Sequence, residues 1–363
     1  MADKTVEFRP FPDRTYRITG SEHDAGVVGE LDRSGGRYQD DLALLLRRRV
    51  PPDGVAVDGG AHVGVLTVLL SGLCQRGRVY AFEPAPETHA YLVRNLEANG
   101  VTNAQAEQAA LFDRDGVVAF GFNAPYPAGS HVTDDGEGTS VPSVRLDSWA
   151  AAAGLRRLDL LKLDLEGAEV AALDGAEETI RRLRPLAVVE CNPFALRRFG
   201  HRTYRDLLAR MRQLFASVGF VAPGGEVLPI LSGRHLALLL ADRGIVDLVG
   251  SSPPPGARER ARSTAAALRG AARLLRTYNR WRPAPETIVV DTDIDIVIGV
   301  PEAGGAAAGT IRLPVTVTNR TGWWLTSTAP CRPVHVAYRW LDESGAVAVA
   351  EGHRTPFPEP VGP

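Results

Sequence analysis

Lysine is almost absent from this 363-residue chain, in which only Lys4 and Lys162 stand among the 41 basic residues. Cysteine is scarce as well, and Cys74, Cys191 and Cys331 match neither a disulfide framework nor a zinc-ligand spacing. The formal charge is −2, so no overall positive field favours nucleic acid as a partner. No apolar run reaches the roughly eighteen residues of a membrane-spanning helix, and the N-terminus lacks an apolar leader. We therefore expect a cytoplasmic protein.

The remaining composition is 44% hydrophobic and 23% charged, which is typical of a globular chain long enough for two or three domains. Between residues 51 and 248, short apolar runs alternate with longer amphipathic ones. The apolar runs are VAVDGG (55–60), VYAFEP (79–84), LDLLKLD (158–164), LAVVECN (186–192) and HLALLLAD (235–242). Helical patterns such as PETHAYLVRNLEANG (86–100) and AEVAALDGAEETIRRLRP (168–185) lie between them. This alternation predicts an α/β domain with a mostly parallel, doubly wound sheet.

The flanking regions differ in character. Residues 1–50 predict a cap over the sheet edge, with a helix from Tyr38 to Arg49. Segment 249–285 predicts a proline-rich linker and a basic amphipathic helix (257–282), which would dock on the core or contact an anionic lipid surface. Residues 286–363 alternate with period two and predict a small β-sandwich-like, all-β module. Its four or five strands are few for a sandwich, so we expect the module to continue beyond residue 363 or to be completed by another chain.

A glycine-rich turn ends the first apolar run and is the most informative stretch. Glycine lets the backbone pass close to a ligand, and a carboxylate at the strand end suits a ligand with a positive group. A dinucleotide fingerprint would require glycine where Ala61 stands. Glu83 ends the next strand, where a carboxylate can accept hydrogen bonds from ribose hydroxyls. Together these features predict S-adenosylmethionine as the cofactor. The predicted cofactor-binding residues are Asp58, Gly59, Gly60, Ala61, His62, Gly64, Glu83 and Pro84.

A second polar cluster is predicted at the carboxyl ends of later strands. Lys162 and Asp164 are two residues apart and therefore share one face of a strand. Glu190 and Asn192 repeat this spacing on the adjacent predicted strand, and Glu166 stands near the start of the next helix. We expect these side chains to converge around Lys162 at one end of the sheet.

Two mechanisms are open for this cluster. In the first, a carboxylate–lysine network orients an acceptor hydroxyl, and Asp164, Glu190 or His131 takes its proton. In the second, Asp164, Glu190 and Asn192 hold Mg²⁺, which lowers the pKa of the hydroxyl. We favour the metal-free mechanism because Lys162 would repel a dication. The structural alternative for Lys162 is a buried ion pair that ties two strands together.

These motifs resemble the FkbM family of S-adenosylmethionine-dependent O-methyltransferases. The matching segments fall roughly within residues 20–245 and are VAVDGGAHVGVLT, GRVYAFEPAPETHAYLVRNLEANG, VRLDSW, LDLLKLDLEGAEVAALDGAEETI and PLAVVECNP. The resemblance implies a class I, Rossmann-like methyltransferase sheet of seven strands. It also implies cofactor contacts at Asp58, Gly60, His62, Gly64 and Glu83. Asn192 departs from the family, whose members often carry histidine there.

The expected function is methylation of a hydroxyl on a sugar, a glycan, or a glycosylated or polyketide-like metabolite. One alternative is a non-catalytic glycan-binding or scaffolding protein with a vestigial methyltransferase core. Another is a nucleotide-dependent oxidoreductase, which Ala61 in the glycine turn disfavours. The sequence does not indicate the acceptor or the oligomeric state.

Overall fold

The computed structural model describes twelve stretches of the chain: residues 2–121, 131–133, 138–252, 263–264, 266–271, 274, 294–298, 315–319, 335–336, 340–341, 347–349 and 355–356. The chain divides into two units. The first comprises Met1–Gly233 with Ile245–Leu268, and the second comprises Arg234–Gly244 with Arg269–Pro363. The domain boundaries predicted from the sequence remain predictions.

The elements up to residue 152 are β1 (Asp3–Phe11), β2 (Arg14–Ser21), α1 (Val28–Arg33), α2 (Asp40–Arg49), β3 (Val55–Gly59), α3 (Val65–Leu73), β4 (Arg78–Phe82), α4 (Pro86–Ala98), β5 (Ala104–Glu107), β6 (Ala110–Leu111), β7 (Gly116–Gly121), β8 (His131–Thr133), β9 (Thr139–Val144) and α5 (Leu146–Ala152). They are followed by β10 (Leu160–Leu163), α6 (Glu169–Asp174), α7 (Glu177–Leu183), β11 (Leu186–Cys191), α8 (Pro193–Arg198), α9 (Tyr204–Leu214), β12 (Ser217–Ala222), β13 (Glu226–Pro229), α10 (Gly233–Arg243) and β14 (Val246–Ser251).

The first unit is built on an eight-stranded sheet with the order β5-β4-β3-β10-β11-β14-β12-β13. The strands from β5 to β11 are parallel, whereas β14 runs antiparallel to both of its neighbours. This is the doubly wound arrangement of class I, Rossmann-like methyltransferases, as the sequence predicted. The eighth strand, β13, forms a hairpin with β12 and adds an edge to the seven expected strands.

The register of the parallel strands brings their carboxyl ends to one edge of the sheet. Lys162 of β10 lies beside Asp58 of β3, and Gly59 of β3 lies beside Phe82 of β4. Leu160 and Leu161 are fully buried, because crossover helices cover both faces of a parallel sheet. Polar side chains that follow these strands therefore meet at the same rim.

Two predictions of secondary structure are wrong. The apolar run 235–242, predicted as a strand, lies in helix α10. It contains leucine and alanine, which favour helices, and no β-branched residue, so the apolar run alone was ambiguous. The pattern 168–185 forms two helices rather than one. The break falls at Gly175, where a Cβ would lie 2.0 Å from the carbonyl oxygen of Phe112.

The N-terminal cap consists of an unpredicted hairpin, β1–β2, followed by α1 and α2. Asn95 of α4 fixes this hairpin, because its amide oxygen accepts a hydrogen bond from the Thr19 N–H (2.8 Å). The Asn95 amide nitrogen donates to the carbonyl oxygens of Thr19 (2.8 Å) and Val63 (2.7 Å). The cap is thereby joined to the glycine-rich turn after β3. A further sheet, with the order β6-β9-β7-β8, follows β5 in the chain.

The second unit contains α10 and three antiparallel pairs. They are β15 (Ile294–Ile298) with β16 (Val315–Asn319), β17 (His335–Val336) with β20 (Thr355–Pro356), and β18 (Trp340–Leu341) with β19 (Val347–Val349). Of the predicted basic helix, only residues 263–264, 266–271 and 274 are described, and they are helical. The rest of that helix, residues 253–256 of the linker and most of the predicted sandwich lie outside the described residues. Within the described part of the chain, no helix is both long and apolar enough to cross a membrane.

Candidate active site

A cleft of about 980 Å³ opens at the rim of the sheet where β3, β4, β10 and β11 end. Nine of the sequence-predicted site residues line it: Gly60, Ala61, His62, Glu83, Pro84, Lys162, Asp164, Glu166 and Glu190. The structure thus brings the predicted cofactor residues and the predicted catalytic residues to one cavity. Five other predicted residues are not among its walls: Asp58, Gly59, Gly64, His131 and Asn192.

The glycine-rich turn is shaped by its neighbouring strand. Gly60 has a φ of +72°, and a Cβ there would lie only 1.8 Å from the carbonyl oxygen of Asp164. The N–H groups of Gly60 and Ala61 both donate to the carbonyl oxygen of Phe82, each at 3.0 Å. Glycine is therefore required by the close approach of the protein's own backbone, whereas the sequence argument had assigned that need to a ligand.

Glu83 is 6% exposed and braces the turn through both carboxylate oxygens. Its Oε2 accepts a hydrogen bond from the His62 N–H (2.9 Å), and its Oε1 accepts one from the Ala85 N–H (3.0 Å). Burial raises the pKa of Glu83 to about 7, although these backbone donors favour the ionised form. Because each carboxylate oxygen can accept a second hydrogen bond, Glu83 can still bind ligand hydroxyls from the cleft.

Lys162 is 5% exposed and lies between two carboxylates. Its Nζ is 3.5 Å from Oδ1 of Asp58, 3.3 Å from Oδ2 of Asp164 and 3.3 Å from the carbonyl oxygen of Gly60. Burial lowers the pKa of Lys162, but Asp164 and Asp58 outweigh burial and raise it above the ordinary value. The ammonium group therefore stays charged and ties β10 to β3 while facing the cleft.

Asp58 does not face the cleft, contrary to the sequence prediction. Its side chain has no exposed surface, and its Oδ2 accepts a 2.6 Å hydrogen bond from the hydroxyl of Thr67. The positive group that Asp58 contacts in this structure is the Lys162 ammonium, 3.5 Å away. Its role in this structure is to position Lys162.

Three carboxylates form the far wall of the cleft: Asp164, Glu166 and Glu190. One oxygen of each lies within 4.8 Å of the others. Burial, and then the negative charge of Asp164, raises the pKa of Glu166 to about 8. Burial, followed by Asp164 and Glu166, raises the pKa of Glu190 well above its ordinary value. This wall therefore carries more acidic groups than Lys162 can neutralise.

The turn that carries Glu166 is held from below by Glu169. The Glu169 carboxylate accepts hydrogen bonds from the N–H groups of Leu165 (2.9 Å) and Gly167 (3.1 and 3.2 Å). Glu166 itself has a φ of +48°, which is uncommon for a residue with a side chain. Glu169 thus fixes the backbone that projects Glu166.

The same three carboxylates could hold a divalent cation, since Mg²⁺ prefers oxygen ligands. Glu166 takes the place that the sequence argument gave to Asn192. The Asn192 amide oxygen instead accepts a hydrogen bond from the Ala195 N–H (3.3 Å) and caps α8. A bound cation would lower the pKa of an acceptor hydroxyl. The cation would either displace the Lys162 ammonium from Asp164 or bind close to that positive charge.

His131 lies away from this wall. Its imidazole stacks on the ring of Phe199, with 3.5 Å between ring centroids, and its backbone pairs with Gly121 in the small sheet. His131 is not among the residues that line the cleft, and its part as a proton acceptor stays a prediction. Val132, the next residue, does line the cleft.

The N-terminal cap supplies cleft residues that sequence reasoning missed. Val27, Tyr38 and Gln39 line the cavity. Burial, followed by the charges of Asp164 and Glu190, raises the pKa of the Tyr38 hydroxyl well above its ordinary value. No motif in residues 1–50 marked these positions, because they reach the cleft only through the packing of the cap.

His62 has a φ of +52° in the glycine-rich turn, and its imidazole lies near a buried carboxylate of the N-terminal cap. Its Nδ1 lies 3.8 Å from Oδ2 of Asp24, a side chain that is 1% exposed. Burial lowers the pKa of His62, although the charge of Asp24 opposes this effect. Both imidazole nitrogens of His62 are buried and have no hydrogen-bond partner among the described residues.

The comparisons with known proteins concern residues 58–222. Those residues match the family model described as "Methyltransferase FkbM domain", which confirms over this region the resemblance carried by the sequence motifs.

Two curated relatives share this region. "Methyltransferase 1" of Beauveria bassiana is 30% identical over 162 residues, which cover 39% of this chain and 65% of the relative. "2-O-methyltransferase NoeI" of Sinorhizobium fredii is 26% identical over 157 residues, which cover 37% of this chain and 61% of the relative. The chain therefore spans slightly less than two thirds of either relative's length. A solved SAM-dependent O-methyltransferase of Thermotoga maritima is 12% identical, with 67% of this chain and 75% of that chain covered at a TM-score of 0.35. That likeness has no bearing on function.

Proposed function

We propose that this protein is an S-adenosylmethionine-dependent O-methyltransferase. Its acceptor would be a hydroxyl of a sugar, a glycan, or a glycosylated or polyketide-like metabolite. The observation that carries the proposal is the cleft at the strand ends. There Glu83 lies on one side, and Asp164, Glu166 and Glu190 surround Lys162 on the other.

The chemistry of the cleft suits a cationic nucleoside. Four lining carboxylates, those of Glu83, Asp164, Glu166 and Glu190, face a single lining ammonium group. A ligand with positive charge would relieve the repulsion that raises the pKa values of Glu166 and Glu190. The free lone pairs of Glu83 provide acceptors for ribose hydroxyls. S-adenosylmethionine has both features, and when bound it supplies a methyl group already activated on a sulfonium.

The chain's own residues would then bind the acceptor and take its proton. Lys162, held by Asp58 and Asp164, can donate a hydrogen bond to the acceptor oxygen from a fixed position. Glu190 and Glu166 have raised pKa values, so each is a stronger base than an ordinary carboxylate once it is ionised. We assign proton acceptance to this carboxylate wall, with Asp164 oriented by Lys162.

The metal-free form of this mechanism is preferred. The Lys162 ammonium already lies 3.3 Å from Asp164, so a dication bound to the same carboxylate would meet a positive charge. The 2-O-methyltransferase name of one relative supports a hydroxyl as the methyl acceptor.

The experiment is incubation with labelled S-adenosylmethionine and a panel of glycans and glycosylated metabolites. We expect the label in an alkali-stable ether. Label confined to esters or amines would contradict the O-methyl assignment. Calorimetry provides the second arm, in which S-adenosylhomocysteine should bind and NADH should not. Binding without any transfer, and a Lys162→Ala variant with undiminished cellular function, would support a vestigial core instead.

A further inference from the structure

A second pocket of about 530 Å³ adjoins the cleft. Val132 and Ala168 line both cavities, so the two are neighbours across these residues. Gly167 and Ala168, which line the second pocket, directly follow Glu166 in the chain. A molecule whose hydroxyl lies against Glu166 therefore has the second pocket beside it.

Aromatic and small side chains line this pocket together with charged ones. Phe112 and Phe199 provide aromatic walls, while Gly200 and Ala171 are small enough to leave space between them. The Phe199 ring is held in place by the imidazole of His131 stacked 3.5 Å away. Such walls suit one face of a ring, such as a sugar or a fused carbocycle.

Two guanidinium groups, those of Arg114 and Arg202, also line the pocket. Among the residues that the structure describes, no carboxylate lies within ion-pair distance of the Arg202 guanidinium, although its charge interacts with that of Asp206. Arg114 lies over the Phe112 ring at 5.0 Å, and its Nε is 3.6 Å from Oδ1 of Asp113. That pair is exposed on both sides (60% and 42%), and exposed pairs of this kind are weak. Asp113 is the only carboxylate among the lining residues, so the pocket is net positive.

The surrounding sequence extends this positive character. Residues 193–205, which form α8 and the turn into α9, contain four arginines and neither aspartate nor glutamate. The cleft next to it has acidic side chains on its wall, those of Asp164, Glu166 and Glu190. Each of these that is ionised would repel a negative group on an acceptor, whereas the arginines would attract it. The charge pattern therefore favours one orientation of an anionic acceptor.

We propose that this second pocket is an acceptor subsite that binds a carboxylate, phosphate or sulfate group carried by the methyl acceptor. Arg202 and Arg114 would hold that group, while the aromatic walls pack on the adjoining ring. This inference rests on the proposed function, because it names the substrate class for the same reaction.

The first test uses inorganic pyrophosphate as the probe and calorimetry as the measurement. Arg202→Gln and Arg114→Gln should each weaken pyrophosphate binding about tenfold, because charge-assisted hydrogen bonds to an anion are among the stronger ones. The control is Arg156→Gln, since Arg156 is exposed and lies in neither pocket, and it should bind like the wild type. Equal affinity in all four proteins, or no binding to the wild type, would overturn the subsite.

The second test compares matched acceptors that differ only in charge, such as a neutral glycan and its uronic acid counterpart. For Arg202→Gln, kcat/KM should fall about tenfold for the acidic acceptor and stay nearly unchanged for the neutral one. An equal loss for both would count against the subsite. Binding of S-adenosylhomocysteine distinguishes a failure of the proposed function from a failure of the subsite. If the protein does not bind S-adenosylhomocysteine but its pyrophosphate binding still depends on Arg202, the methyltransferase assignment is wrong and the anion site stands.

Discussion

Replacing Lys162 by methionine tests the central electrostatic feature of the cleft. The substitution keeps the length of the side chain and removes the only ammonium group between Asp58 and Asp164. Asp58 has no exposed surface, so water cannot replace the lost counter-charge there. Removing one partner of a buried ion pair costs about 3–5 kcal/mol of unfolding free energy. We expect a loss of that size at pH 8.

The chain offers a matched control in its other lysine. Lys4 pairs with Asp32 at 2.7 Å, a shorter distance than either contact of Lys162, but the two side chains are 40% and 51% exposed. Exposed pairs contribute about 0–1 kcal/mol, so Lys4→Met should change the unfolding free energy by no more than that. The substitution is the same at both positions. A larger loss of unfolding free energy at Lys162 than at Lys4 would therefore be due to the burial of the pair and not to the distance between its charges.

Urea unfolding followed by circular dichroism at pH 8 and pH 5 provides the measurement. At pH 5 the unpaired carboxyls of the Lys162→Met variant can bind protons, so the loss should be smaller than at pH 8. Adding Asp58→Asn to the variant should restore part of the stability for the same reason. If Lys162→Met behaved like Lys4→Met, or if its loss were the same at both pH values, Lys162 would not be a buried counter-ion.

Three further predictions concern the carboxylates. Glu83→Gln should weaken S-adenosylhomocysteine binding about tenfold in calorimetry, because an amide offers one oxygen where Glu83 accepts from two backbone N–H groups. The pKa of Glu166 is raised to about 8, so the folded state binds a proton that the unfolded state has released. Thermal stability of the free protein should therefore fall from pH 5 to pH 8, and Glu166→Gln should flatten that fall; an unchanged slope would contradict the assignment. EDTA should leave the methyl-transfer rate unchanged, and a loss reversed by Mg²⁺ would show that Asp164, Glu166 and Glu190 hold a metal.

The sequence predicted which side chains lie at the rim of the sheet better than it predicted the contacts among them. The grouping of Glu83, Lys162 and Glu190 could be predicted, because the carboxyl ends of parallel strands lie at one rim of the sheet. The contact that Asp58 makes could not be predicted from the sequence. An acidic residue before a glycine turn looks the same whether it faces a ligand or a lysine on the next strand, and only the register with Lys162 decides.

The parts of the fold that escaped prediction depend on contacts between distant segments. The run 235–242 is apolar from Leu236 to Ala241 and has no period that separates a helix from a buried strand. The helix break at Gly175 is imposed by the backbone of Phe112, which is more than sixty residues away in the chain. Tyr38 and Gln39 reach the cleft because the cap is tied to α4, an arrangement that no local pattern records.

The carboxylate wall lowers the stability of the free protein. Asp164, Glu166 and Glu190 lie within 4.8 Å of one another, and two ionised groups at that separation would repel by about 3–4 kcal/mol for an effective dielectric near 20. This repulsion adds to burial in raising the pKa values of Glu166 and Glu190. Lys162 offsets part of this repulsion at Asp164 but contacts neither glutamate. Packing alone does not require three acids here, since apolar side chains of similar volume would often be neutral or stabilising. A bound cationic ligand would offset the unfavourable free energy of placing three acids together. The arrangement that lowers the stability of the free protein would therefore strengthen the binding of such a ligand.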